Sequence, residues 1–354
     1  MPAHPHLRHV IESRATLTRE QASEVLQQIL AGNLSEIEIA ALTAALAARG
    51  ETPAELAGFV DVMRANVTAI PLAEDERLQL VDTCGTGGDG SRTFNISTAS
   101  ALVAAAAGAT TAGAKIMVAK HGNRAITSQT GSADVLEALG IPVGLSPDQA
   151  AQALRQHRFA FLHAPALHPA MKAVMPVRKA IGVRTVFNLL GPLTNPAGAS
   201  AQVMGVYSAH AVALVAEAMA LLNTRHAFVV HGTAENADNS TRGLDEISIS
   251  GPTHIAEVHN GIVTLSTLTP EDAGLTRAPL ESLVGGDAYT NAQILTAIFH
   301  GEPGPRRDIV LLNAAAVLVA ADLAPDIPTG VALAARTIDS GAVTELIASL
   351  ARNS

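Results

Sequence analysis

The sequence predicts an α/β protein in two parts: a small N-terminal helical domain, and a larger α/β domain with a mainly parallel central sheet flanked by helices. Three observations carry that expectation. Residues 1–72 hold helix signals only. From Leu78 onward, short apolar runs alternate with helical stretches, the pattern of strands covered on both faces by crossover helices. Finally, 48% hydrophobic against 16% charged residues over 354 positions supplies a sizeable core and excludes disorder as the main state.

Taken in order, Thr18 with Gln21, Ser35 with Glu38 and Thr52 with Glu55 have capping-box spacing, and Pro53 suits a first helical position. Ala22, Val25, Leu26, Ile29 and Leu30 form one apolar stripe, and Leu56, Phe59, Val60 and Met63 another; Gly32 and Gly50 are stops. Runs near 78–83, 114–119, 158–163, 201–207 and 226–230 read as buried strands, with helices between most of them. Ser146 with Gln149 opens the helix before the third run, and Asn260-Gly261 joins two short runs over 254–266 as a hairpin. From Ala288 the chain is helical again, broken at Pro303-Gly304-Pro305 and Pro328. Residues 169–190 interrupt the strand pattern with a Lys/Arg-bearing helical stretch, expected to return to the N-terminal helices. The expected division is therefore 1–72 completed by 169–190, beside 73–168 with 191–354.

Composition narrows the function. With 23 Lys+Arg against 32 Asp+Glu the net charge is −9, and Trp 0, Tyr 2 and Phe 7 leave few rings for base stacking. No nucleic-acid partner is expected, since phosphate neutralisation supplies most non-specific affinity. The one cysteine, Cys84, excludes an intrachain disulfide and fits a reducing cytoplasm. Met1–Arg19 has no apolar core, and the apolar stretch 99–119 is broken by Lys115, so neither a signal peptide nor a membrane span is expected.

Directly after the first strand comes Asp82-Thr83-Cys84-Gly85-Thr86-Gly87-Gly88-Asp89-Gly90, with four glycines in six positions. Such density lets a backbone approach a ligand and present N–H groups to it. Thr93-Phe94-Asn95-Ile96-Ser97-Thr98 then opens the helix Ala99–Gly108, whose free amides and positive dipole end face the loop. Together they read as a phosphate or diphosphate site, or as a tightly capped strand-to-helix turn. A second segment, Lys120-His121-Gly122-Asn123-Arg124 with Thr127-Ser128 and Gly131-Ser132, follows the next strand and offers two cations and several hydroxyls. Both lie at strand carboxyl ends, where open α/β sheets bind ligands. Gly243-Leu244-Asp245-Glu246 offers adjacent carboxylates, suited to Mg²⁺ or simply solvated on a turn. After His168-Pro169-Ala170-Met171-Lys172, Arg178 is placed to fork a carboxylate or to lie on a helix surface. His121, His163 and His168 read equally as proton shuttles and as core or loop histidines, and Cys84 as a small buried residue.

In this order the motifs resemble the anthranilate phosphoribosyltransferase family across essentially the whole chain. They are Gly85–Asp89, Asn95–Thr98, Lys120–Arg124, Gly131–Gly140, His168–Lys179, Phe187–Pro196 and Gly243–Glu246. The resemblance implies a fold similar to pyrimidine nucleoside phosphorylases and a cytoplasmic homodimer joined through the helical domains. It also implies transfer of the phosphoribosyl group of phosphoribosyl diphosphate to the amine of anthranilate, in tryptophan biosynthesis. Gly85, Gly88, Asp89, Thr93, Asn95, Ile96, Ser97, Thr98, Lys120, His121, Gly122, Asn123, Arg124, Ala125, Ile126, Thr127, Ser128 and Ser132 would surround phosphoribosyl diphosphate. Ser97, Asp245 and Glu246 would hold Mg²⁺, while Gly85, Asn123 and Arg178 would contact anthranilate. No residue is assigned as acid or base.

Two features depart from the family pattern. Thr233–Arg242 is longer than the usual connection before the Asp-Glu pair, and Thr127 with Gln129-Thr130 replaces the commoner Ser and Lys-Ser. A nucleoside phosphorylase on the same scaffold would need neither Asp245-Glu246 nor Arg178, and a nucleic-acid-binding relative would want basic helices. Both fit the residues less well.

Overall fold

The computed structural model describes residues 4–125, 129–235 and 241–352. Four helices come first: α1 (Pro5–Glu12), α2 (Arg19–Leu30), α3 (Glu36–Arg49) and α4 (Pro53–Ala65). Reciprocal capping boxes open α2, α3 and α4 at Thr18, Ser35 and Thr52, as their spacing predicts. The third box also ties the helices together. Glu55 is wholly buried, accepts from the Leu17 amide at 2.8 Å, and pairs with Arg49 Nη2 at 2.6 Å. Removing either partner would strand the other charge in a dry site.

Among the described residues, eight strands form one sheet: β1 (Leu80–Gly85), β2 (Met117–Gly122), β3 (Phe159–His163), β4 (Ala201–Gly205), β5 (His226–Glu235), β6 (Thr241–Leu244), β7 (Thr253–His259) and β8 (Ile262–Leu268). Their order is β3-β2-β1-β4-β5-β7-β8, with β6 pairing on β5. The first five are parallel, while β7 and β8 are antiparallel additions. Asn260 and Gly261, with φ of 50° and 80°, make the β7–β8 turn.

Three boundaries at the site differ from the sequence expectation. β1 and β2 run past their apolar stretches, to Gly85 and Gly122, because the ladders persist to Gly85↔Gly205 and Gly122↔His163. Lys120 and His121 are thus buried strand residues, not part of a following loop. The next helix spans Ile96–Thr110, so Ile96, Ser97 and Thr98 form its first turn. The long Thr233–Arg242 connection is absorbed differently: β5 extends and pairs with β6 from Gly232↔Leu244 to Glu235↔Thr241. The chain therefore returns in register and delivers Asp245 to the sheet; residues 236–240 lie outside the described part.

One sheet face is covered by the helices Ile96–Thr110 and Pro305–Ala320, with Ile327–Asp339 and Ala342–Ala351 packed against those two. Every residue from Ile309 to Ala320 is buried, as an all-round apolar helix requires. On the other face, the helix His210–Leu221 packs between α4 and the strands β5 and β7. The helix Met175–Ile181 contacts α3, and Phe187–Leu193 contacts α4. Val174, Val177 and Leu190 share an apolar cluster with Val25, Leu46 and Val60. Among the described residues, no helix is long and apolar enough to cross a membrane.

Candidate active site

Strand order reverses direction at β1, with β2 on one side and β4 on the other, which opens a crevice at their carboxyl ends. Asp245 fills that crevice at closest range. A Cβ on Gly85 would stand 2.2 Å from Asp245 Oδ2, and one on Gly205 would stand 1.6 Å from the Asp245 carbonyl oxygen. The paired strand ends Gly85 and Gly205 are glycine because the Asp-Glu segment crosses directly over them.

Beyond Gly85 the chain turns through Gly87, Gly88 and Gly90, at φ of 70°, 75° and 74°, a conformation L side chains rarely adopt. The Thr86 amide donates to Gly205 O at 2.9 Å, and the Gly87 amide to Asp245 Oδ2 at 2.7 Å. Asp89 accepts from the Ser91 and Asp245 amides. The amides of Gly88, Asp89 and Gly90 donate to no protein group among the described residues. A run of free amides in this geometry makes an anion-binding concavity. Thr93 bridges to Val284, and Asn95 stands at the cap of the helix Ile96–Thr110, accepting from Asn291 Nδ2 at 2.9 Å. The Ser97 amide donates to Glu246 Oε1 at 3.1 Å, and the Thr98 hydroxyl is buried without a partner among the described residues.

Charge in this crevice is unbalanced. Burial raises the Asp245 pKa to about 7, with Asp89 adding to the shift. Burial pushes Glu246 well above the usual carboxylate range, Asp245 adding and Lys120 opposing. Lys120 is itself buried, donating from Nζ to Thr83 O at 2.7 Å and to Ser97 Oγ at 3.2 Å. Burial lowers its pKa against the opposing pull of Asp82. Two adjacent carboxylates and a serine hydroxyl, short of one compensating cation, fit a hard divalent ion.

The β2 side is arranged differently. A Cβ on Gly122 would meet Ser132 Oγ at 2.3 Å, and Ser132 donates to Asn123 O. Arg124 forks onto Glu137 at 2.6 Å and reaches Asp134 at 3.1 Å, while the Ala125 amide also donates to Asp134. Ile126, Thr127 and Ser128 lie outside the described residues. His121 and His168 meet Nε2 to Nε2 at 3.0 Å; burial lowers their pKa values to about 3 and about 4, so both are neutral at pH 7. Arg178 stands apart on the helix Met175–Ile181, half-buried. Among the described residues no hydrogen bond or ion pair joins it to Gly85 or Asn123.

Comparison with known proteins follows the same lines. Residues 77–344 match the Glycosyl transferase family a/b domain and residues 4–67 its helical bundle domain. The anthranilate phosphoribosyltransferase of Symbiobacterium thermophilum is 50% identical over 335 residues, 95% of this chain and 93% of that one. The chain belongs to the anthranilate phosphoribosyltransferase family. The crystal structure of the Thermus thermophilus anthranilate phosphoribosyltransferase superposes with a TM-score of 0.87 at 41% identity, covering 99% of each chain. That of the Saccharomyces cerevisiae enzyme in complex with PRPP and Mg has a TM-score of 0.83 at 24% identity, covering 98% and 97%, and shows the shared fold.

Several anthranilate phosphoribosyltransferase positions that build this site escape motif reading. Asn291 fixes Asn95 and accepts from the Gly286 amide at 2.7 Å. Asn313 holds Ile247 through both amide and carbonyl at 2.9 Å, anchoring the segment after Glu246. Both asparagines are buried, and a polar residue inside an apolar helix such as Leu311-Leu312-Asn313-Ala314 is the signal that finds them. Gly205 and Arg184 carry no comparable signal.

Proposed function

We propose that this chain transfers the 5-phosphoribosyl group from phosphoribosyl diphosphate to the amine of anthranilate, giving N-(5-phosphoribosyl)anthranilate and diphosphate, in tryptophan biosynthesis. The observation that carries this reading is the set of free amides at Gly88, Asp89 and Gly90 beside the Asp245-Glu246 pair, at the β1/β4 crevice.

In the reaction the ribose C1–oxygen bond breaks, a C1–nitrogen bond forms, and the nitrogen releases one proton to water. Positive charge develops on the ribose and negative charge on the departing diphosphate. The free amides and the start of the helix Ile96–Thr110 are fixed donors for that negative charge. Asp245, Glu246 and Ser97 would hold Mg²⁺, which when bound supplies further compensation to the diphosphate. Lys120 sits behind Ser97 and acts through it. Asp89, Thr93, Asn95, Ile96, Thr98, the segment Lys120–Ser128 and Ser132 complete the surroundings. The anthranilate nitrogen is already a neutral nucleophile near pH 7, so positioning and leaving-group stabilisation carry the chemistry. Arg178, without a carboxylate partner among the described residues, receives the anthranilate carboxylate beside Gly85 and Asn123 once the parts approach.

The same reading divides the chain into 1–72 with 169–190, and 73–168 with 191–354. It places the enzyme in the cytoplasm and pairs it as a homodimer through the helical domain, where Ile11 and Ile37 are 45% and 81% exposed. The test follows anthranilate fluorescence with phosphoribosyl diphosphate and Mg²⁺; with Trp 0, protein emission stays low. Mg²⁺-dependent loss of signal is expected. Arg178→Ala should raise KM for anthranilate by about tenfold or more, leaving that for phosphoribosyl diphosphate within about twofold. A flat trace from folded protein sinks the reading.

A further inference from the structure

The free amides of the glycine loop need something to hold the loop that presents them. Three of its glycines occupy left-handed conformations that L side chains rarely adopt, so the segment has much backbone freedom to lose. Its near end is held by Gly205 O, and Asp245 holds the Gly87 amide. The middle of the loop is held by a different residue. Arg184, in the connection between the helices Met175–Ile181 and Phe187–Leu193, donates from Nη2 to the Gly88 carbonyl.

Arg184 is exposed, and an exposed arginine normally gives up a bond to water easily. Here its plane is fixed from a second side. The guanidinium carbon lies 4.4 Å from the ring centroid of Tyr207, just past the end of β4. Stacking on an aromatic face pre-orients an arginine, so less freedom is lost when its fork makes a hydrogen bond. Tyr207 is in turn half-buried, near Glu51 at the entry to α4. The connection's own turn is pinned where the Thr185 amide donates to Asn188 Oδ1 at 3.0 Å.

We propose that Arg184 is a positioning residue for phosphoribosyl diphosphate. By holding the Gly88 carbonyl from a guanidinium clamped on Tyr207, it keeps the Asp89 amide, on the opposite edge of the same peptide plane, turned toward the diphosphate. The inference rests on the proposed function above. A peptide whose carbonyl is fixed on one side has its own amide, here that of Asp89, fixed on the other, because the peptide plane turns as a unit. Arg184 touches no reacting atom, so its loss weakens capture of the diphosphate substrate and leaves anthranilate capture alone.

The experiment measures phosphoribosyl diphosphate binding by calorimetry with Mg²⁺ present, together with steady-state KM for each substrate. Arg184→Ala is expected to raise Kd and KM for phosphoribosyl diphosphate by about tenfold, the loss of one charge-assisted bond, with anthranilate KM within about twofold. Tyr207→Ala should reproduce part of that loss and Tyr207→Phe, which keeps the ring face, should restore it. A merely structural role would instead lower thermal stability without separating the two substrates. If the unaltered protein fails to bind phosphoribosyl diphosphate, the proposed function falls. If it binds and Arg184→Ala binds equally well, or loses anthranilate instead, the positioning role falls alone.

Discussion

The segments after β1 and β2 look like equivalent halves of an anion site in sequence, yet they are built on opposite principles. After β1 the glycine stretch Gly85–Gly90 carries no side-chain cation, Arg92 coming only beyond it, and the donors are backbone amides exposed by glycine conformations. After β2 the charge is conspicuous in sequence and internally spent: Lys120 is buried under Ser97, and Arg124 is forked by Glu137 and Asp134. Counting cations would rank the second segment first. Satisfaction ranks the first, because a group already paired has to break a protein bond before it can serve a ligand, whereas an amide with no protein partner only exchanges water for the ligand. The net −9 charge is therefore no obstacle to polyanion binding, since the donors that matter carry no formal charge.

The sharpest way to break this contrast lies within the glycines themselves. Gly85 and Gly87 are two residues apart and constrained for different reasons. Gly85→Ala would drive a Cβ to 2.2 Å from the Asp245 carboxylate, while Gly87→Ala meets nothing within 4 Å and only suffers its φ of 70°. Displacing a carboxylate of the proposed Mg²⁺ site should cost about 10²–10³ in kcat/KM and shift the Mg²⁺ requirement upward. Gly87→Ala should cost roughly 1–2 kcal/mol of conformational strain, read as a lower Tm, with the Mg²⁺ requirement retained. A Gly85→Ala enzyme with unaltered Mg²⁺ titration would contradict the crevice as the metal site.

A smaller effect follows from the carboxylates of that crevice. A carboxyl whose pKa rises on folding holds its proton more tightly in the native state than in the unfolded chain. Asp245 thus contributes stability that is full below the unfolded value near 3.9 and is lost as pH climbs through about 7. Metal-free protein should accordingly lose a few °C of Tm between about pH 5 and pH 8 from this group, and Asp245→Asn should flatten that dependence. Added Mg²⁺ should recover more at pH 8 than at pH 5, because the ion competes with the proton. Differential scanning calorimetry across that range decides it, and a Tm that climbs from this group as pH rises would reverse the assignment.

These cases also mark what the residues disclose on their own. Capping boxes at Thr18, Ser35, Thr52 and Ser146, the Asn260-Gly261 turn and the alternation of strands and helices are local signals, and each appears where its spacing predicts. Motif residues from Gly85 to Ser97 and Asp245-Glu246 come together because the strand order brings their ends to one crevice. The contacts of Gly205 with Asp245 and Arg184 with Gly88 span 40 and 96 positions, and no local pattern encodes either. The extent of β1 and β2 was hidden for another reason. Lys120 and His121 are polar, so the apolar run ends before the strand does, and only their buried partners show that the ladder continues.

The weakest expected effect is at Arg124, where sequence alone would look for one of the strongest. Its guanidinium bonds to Asp134 and Glu137 already raise its pKa, and it is roughly half-exposed, so the pair is screened and contributes little to stability. Removing it also leaves the Ala125 and Gly131 amides bonded to Asp134, which keeps the turn into the helix Ser132–Ala138 intact. Arg124→Ala should therefore raise KM for phosphoribosyl diphosphate by less than about threefold, below the about tenfold expected at Arg184. A larger rise at Arg124 than at Arg184 would mean that the ligand pulls the guanidinium away from its two carboxylates. The β2 segment would then bind by charge after all, and the distinction between paired side chains and free amides would fail at the place where it is easiest to measure.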